Sequence, residues 1–110
     1  MQARIRLILE TERGKNARSI CAKLNQVIVA SDPGLSRYYK GGTSAVFSRD
    51  VVAFEWPEVI MEILQLTQAF GRSWTVTGDI DNELSLVTTE FSLAGITWAE
   101  VSIVKTNLRG

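Results

Sequence analysis

The chain has 110 residues, 45% of them apolar and 22% charged, a composition that fits one globular domain, 1–110, and leaves no room for two. Twelve basic residues balance twelve acidic ones, so the basic excess that nucleic-acid binders use against phosphate is absent and nucleic acid is not an expected partner. One cysteine, Cys21, and no histidine exclude an internal disulfide framework and remove the commonest zinc ligand and general base, and with them hydrolases that depend on a histidine.

Ala3 to Glu10 alternates, with Ile5, Leu7 and Leu9 on one side and Arg4, Arg6 and Glu10 on the other, which predicts a half-buried strand. Ile8 on the polar side predicts that the second face is partly covered. After the polar connection 12–16, Ala17, Ile20, Cys21, Leu24, Val27 and Ile28 recur at three- and four-residue steps, the stripe of an amphipathic helix. Ser31-Asp32-Pro33-Gly34 is expected to stop it. Residues 31–43 read as a long loop, and long ordered loops tend to carry sites.

Residues 44–56 are rich in Val, Phe and Trp. They read either as one strand, with its core at Val51–Trp56, or as a hairpin turning at Ser48-Arg49-Asp50. Pro57 and Glu58 suit the start of a second helix, whose apolar face is Val59, Ile60, Ile63, Leu64, Leu66, Thr67 and Phe70, with Gly71 as its C-terminal cap. This helix is the more apolar of the two and is expected to lie deeper. Residues 73–80 alternate, Asp81-Asn82 turn, and Leu84 to Phe91 resumes β character. The last strand, Ile96 to Val104, slips in phase, which predicts a bulge near Ala99-Glu100. The tail from Thr106 is expected to fray.

The order β-α-β(β)-α-β-β-β predicts an α+β class, two helices packed on one face of a mostly antiparallel sheet. If 44–56 is a hairpin, the first six elements match the split β-α-β-β-α-β order of ferredoxin-like domains. Such folds host many functions, so the likeness is architectural only.

Residues 1–49 hold nine basic and three acidic residues, and residues 50–110 the reverse, for net charges of +6 and −6. If the fold keeps the halves apart, the dipole can steer a charged partner or drive self-association; if it interleaves them, the asymmetry cancels. No segment approaches the roughly 20 apolar residues of a membrane helix, and the first ten residues do not form a signal peptide, so a cytoplasmic protein without a membrane partner is expected.

Candidate binding residues fall in three groups. Arg37, Tyr38, Tyr39 and Lys40 combine cations and rings on the long loop, the residue types favoured at interfaces. Trp74 and Trp98 are either core, or an apolar patch on an open sheet face; Trp56 is the third large ring. Asp79, Asp81 and Glu83 surround a tight turn, where a surface turn is the expected role and the glycine and distal glutamate of a calcium loop are missing. Lys40-Gly41-Gly42-Thr43-Ser44 lacks the order of a phosphate-binding loop. Cys21 lies on the apolar stripe and reads as structural. Glu58 and Glu62 read as complements to the helix dipole. No catalytic residue, metal site or cofactor is expected.

These features favour a non-catalytic protein-interaction module, self-associating as a homodimer or neutralising a protein partner in the manner of an immunity protein. The alternative is a domain that binds a small apolar ligand in an aromatic-lined pocket between sheet and helices. An enzyme ranks last, because nothing in the sequence assembles acid–base groups.

Overall fold

In the computed structural model, which describes residues 1–105, the alternating opening segment is strand β1 (Gln2–Leu9). Ala3, Ile5, Leu7 and Leu9 are buried on one side, and Arg4 and Arg6 occupy the other. There follow α1 (Gly14–Ile28), β2 (Gly34–Arg37), β3 (Thr43–Asp50), α2 (Trp56–Phe70), β4 (Gly71–Arg72), β5 (Thr75–Thr77), β6 (Glu83–Thr88), β7 (Glu90–Phe91) and β8 (Ile96–Val104).

Six strands form one sheet in the order β2-β3-β1-β8-β6-β5, while β4 and β7 pair separately. Every pairing is antiparallel. Helix α1 carries the chain from β1 past β3 to β2, whereas α2 is followed by β4 and then by β5 at the far edge of the sheet, from which β6 and finally β8 lead back to β1. The first five elements follow the split β-α-β-β-α order, but the ferredoxin-like sixth element does not: the strand beside β1 is β8, which comes last, after β5 and β6. The fold is α+β, as the element order predicts.

Both helices cover the same face. Ala17, Cys21, Leu24 and Ile28 of α1 and Val59, Ile63, Leu66 and Phe70 of α2 join Phe47, Ile5, Val101 and Leu86 in one core. Those last four residues form a row across β3, β1, β8 and β6. In the next row Ala45 and Ala99 flank Leu7, with Thr88 beyond Ala99. The small side chains leave room for the helices to approach the sheet.

Several local expectations are corrected. The hairpin is β2-β3, so part of the expected loop 31–43 is strand. The expected strand core at Val51–Trp56 is instead a connection into α2. Its amides have a different partner: the Glu62 carboxylate accepts from the backbone N–H of Val52 at 3.1 Å and of Ala53 at 3.0 Å. Val52 and Phe54 consequently face solvent, 79% and 88% exposed, despite their β propensity. Glu62 thus ties down a loop, rather than only complementing the helix dipole.

Helix α1 stops before the Ser-Asp-Pro-Gly run, at Val29, which adopts the left-handed conformation (φ 48°). The Asn25 side chain holds this turn, accepting from Ala30 N–H at 2.6 Å and donating to its carbonyl at 3.1 Å. Gly71 follows α2 with φ −154°, so it is not a left-handed cap. Its lack of a side chain answers crowding: a Cβ there would lie 2.9 Å from the Trp74 ring and 3.0 Å from the Glu90 carbonyl oxygen.

The bulge in β8 lies at Thr97, ahead of the predicted Ala99-Glu100. Leu9 pairs with Ile96 and Ile8 with Trp98, which leaves Thr97 as the extra residue. Its hydroxyl donates to the Ile8 carbonyl at 3.1 Å. The bulge puts Ala99 under the helices and Trp98 on the opposite face, because the alanine fits the closely packed side and the indole does not. The expectation for the tail from Thr106 lies outside the described residues.

Candidate functional site

The sheet face turned away from the helices carries the even-numbered residues of β1, β3 and β8 and the odd-numbered ones of β5 and β6. Register places Gly34, Val46, Arg6, Glu100, Val87 and Thr75 in one row from β2 to β5. A second row holds Ser36, Ser44, Ile8 and Trp98, and a third holds Ser48, Arg4, Ser102, Ser85 and Thr77. Small hydroxyls therefore surround a central strip of two arginines, a glutamate and four apolar side chains.

At one end of this face the bulge, β1 and the β2–β3 turn meet. Arg6, Ile8, Tyr38, Thr97 and Trp98 line an open hollow of about 390 Å³. The Arg6 guanidinium lies 5.0 Å from the Trp98 ring centre, within cation–π range. Ile8 is only 8% exposed, so the partial cover predicted for this side comes from Trp98 and Tyr38. The β2–β3 turn is closed by Tyr38 N–H to the Gly42 carbonyl at 3.0 Å and Gly41 N–H to the Tyr38 carbonyl at 2.9 Å. Gly42 has φ 92°, and a Cβ there would overlap the Leu9 carbonyl oxygen, so only glycine lets this turn sit against β1.

The predicted site residues divide. Tyr38 and Trp98 come together at the hollow. Tyr39 packs on Tyr38 with ring centres 4.9 Å apart but is 82% exposed. Lys40 Nζ lies 5.6 Å from the Tyr39 ring, and Arg37 ends β2 exposed. Trp74 lies elsewhere, edge-on to Phe70 at 5.3 Å and donating its indole N–H to the Thr67 carbonyl at 3.1 Å. The Trp56 indole N–H donates to the Ile80 carbonyl at 2.7 Å.

Asp79, Asp81 and Glu83 make the β5–β6 turn at the other end of the sheet. The Asp79 carboxylate accepts from Asp81 N–H at 3.2 Å and from the Asn82 amide at 2.6 Å. Among the described residues, no group of three or more Cys, Asp and Glu side chains is placed to hold a metal ion.

No family model, curated protein or solved structure matches the chain. Charge distribution is the most informative property of the surface. The strands of the basic half, β2, β3 and β1, occupy one side of the sheet, and those of the acidic half, β8, β6 and β5, occupy the other. The fold therefore separates the halves instead of interleaving them. Their strand centres lie three spacings apart, about 14 Å.

Among the described residues one ion pair forms, Arg72 to Glu90 at 3.9 Å, and both partners belong to the acidic half. Arg6 and Glu100 are register partners, yet Arg6 turns to Trp98 while Glu100 accepts from the Ser85 hydroxyl at 3.3 Å. Arg4, Arg6 and Glu100 were not candidates in the sequence. The alternation of β1 exposes the arginines as a polar side, but only strand pairing brings Glu100 beside them.

Cys21 is buried, and desolvation raises its thiol pKa above the usual range. Among the described residues, no helix is long and apolar enough to cross a membrane.

Proposed function

We propose that this chain is a non-catalytic protein-interaction module that binds through the uncovered face of its sheet. The observation that carries the reading is the separation of charge across that sheet. Two sides of opposite sign, with no ion pair between them among the described residues, lower the free energy of an approaching complement and speed its encounter. Self-association is favoured because Arg4 and Arg6 on one side of this face stand against Glu83 and Glu100 on the other. In the neutralising form of the same reading, the acidic side caps a basic protein and Asp79, Asp81 and Glu83 lie at its rim. A cytoplasmic setting fits both forms, since a lone buried thiol needs no oxidising compartment.

A second reading has its own support. The hollow beside Trp98 and Tyr38 offers two rings and an arginine to a small planar ligand. It lies on the open face, whereas the sequence suggested a pocket between sheet and helices.

Light scattering at low and high salt separates the two. The interaction reading in its self-associating form expects a mass above the 12.2 kDa chain that falls as salt screens the charges. A chain that stays at 12.2 kDa under both conditions, with indole fluorescence that shifts on adding small planar ligands, would transfer support to the pocket.

A further inference from the structure

We infer that the occupant of the uncovered face is a second copy of this chain, bound face to face about a two-fold axis that runs along the strands between β1 and β8. This rests on the interaction-module reading. The sheet has six strands, so its midline falls between β1 and β8. Turning a second copy by 180° about that line lays the two open faces together. Each side of one sheet then meets the other side of the second, and the register decides which residues face one another.

Arg6 and Glu100 are partners across the midline. Each Arg6 therefore faces the Glu100 of the other copy, twice by symmetry. Val46 lies one strand beyond Arg6, and Val87 one strand beyond Glu100, in the same row, so valine meets valine. Ile8 and Trp98 are also register partners, so each Ile8 meets the other copy's Trp98. Arg4 falls against Ser102, and Ser48 against Ser85. Cation meets anion, apolar meets apolar, and small hydroxyls allow close approach. Asp50 and Glu83 fall opposite each other at one end of the face, and this like-charge contact opposes the dimer there.

Three observations favour a copy over a foreign protein. On this face Arg4 and Arg6 lie on one side of the midline and Glu83 and Glu100 on the other. The whole chain has zero formal charge, so two copies approach without net repulsion. Edge-to-edge growth is restricted, because the edge strands β2 and β5 have only four and three residues. The face measures roughly 24 Å across six strands and about 20 Å along them, or about 1,000 Å² over two copies. That is near the lower bound for a specific interface, so the dimer is weak and depends on its charge pairs.

The test compares the unmodified chain, Arg6→Glu and Glu100→Arg by sedimentation at low salt. Each single reversal places like charges at both symmetric contacts and should weaken the homodimer by about tenfold or more. An equimolar mixture of the two variants restores both pairs, one with native and one with inverted polarity, and should recover a species of twice the chain mass. If a reversal also unfolds the chain, Arg6→Gln and Glu100→Gln take its place, and each should weaken the dimer and flatten its salt dependence. A dimer that survives every variant would overturn this face while leaving self-association intact. Variants that lose the dimer without recovering it on mixing would also overturn the pairing. A monomeric unmodified chain would remove self-association itself, and the inference with it.

Discussion

Replacing Ala99 by leucine tests the register of the last strand. Ala99 is fully buried beneath the helices, beside Leu7 on β1 and Thr88 on β6. Three added carbons have no space there, and overpacking of this kind costs about 1–3 kcal/mol. For a domain whose total stability is on the order of 5–15 kcal/mol, that is a large fraction. At roughly 4 °C per kcal/mol for a chain this size, the midpoint should fall by about 4–12 °C. Urea denaturation followed by circular dichroism gives the same loss as a lower midpoint with an unchanged slope. With the bulge at Ala99-Glu100, the small residue would lie outside the tightly packed row and extra carbons would be tolerated. An Ala99→Leu protein as stable as the unmodified chain would therefore refute the Thr97 bulge and the face assigned to Trp98.

Gly42→Ala should destabilise by about 1–3 kcal/mol, since it combines a positive φ with overlap on a backbone oxygen; a thermal melt measures this. Cys21 should resist a thiol reagent in the native state and react on unfolding, because it is buried with a raised pKa. A raised folded-state pKa contributes stability below the unfolded thiol's pKa, near 8.5, and that contribution is lost as pH rises through the folded value. Stability curves of the unmodified chain and Cys21→Ala should accordingly converge in shape below that range and diverge above it. Arg6→Ala should change the indole emission of Trp98 while lowering stability by only about 0.5–1 kcal/mol, the scale of an exposed cation–π contact.

Periodicity made part of the fold legible. The two helices and β1 follow from apolar spacing, since their buried faces depend on local geometry. β2 was hidden because Gly34–Arg37 has no β pattern of its own and becomes a strand through pairing with β3. Val51–Trp56 misled because its Val, Phe and Trp have high β propensity, whereas a carboxylate ten residues away fixes its backbone. The site was legible to the same extent. Tyr38 and Trp98 stand out as large rings, and the structure brings them together. Trp74 also stands out, but its indole N–H is satisfied inside the α2 end of the core. The pairing of Arg6 with Glu100 spans 94 positions of sequence and exists only in the sheet register.

NMR chemical shifts followed on dilution test the central claim most directly. The account predicts concentration-dependent shifts at Arg4, Arg6, Ile8, Trp98 and Glu100, including the Trp98 indole, with α1 and α2 unmoved. Shifts confined to the helices or to the β2 and β5 edges would contradict it.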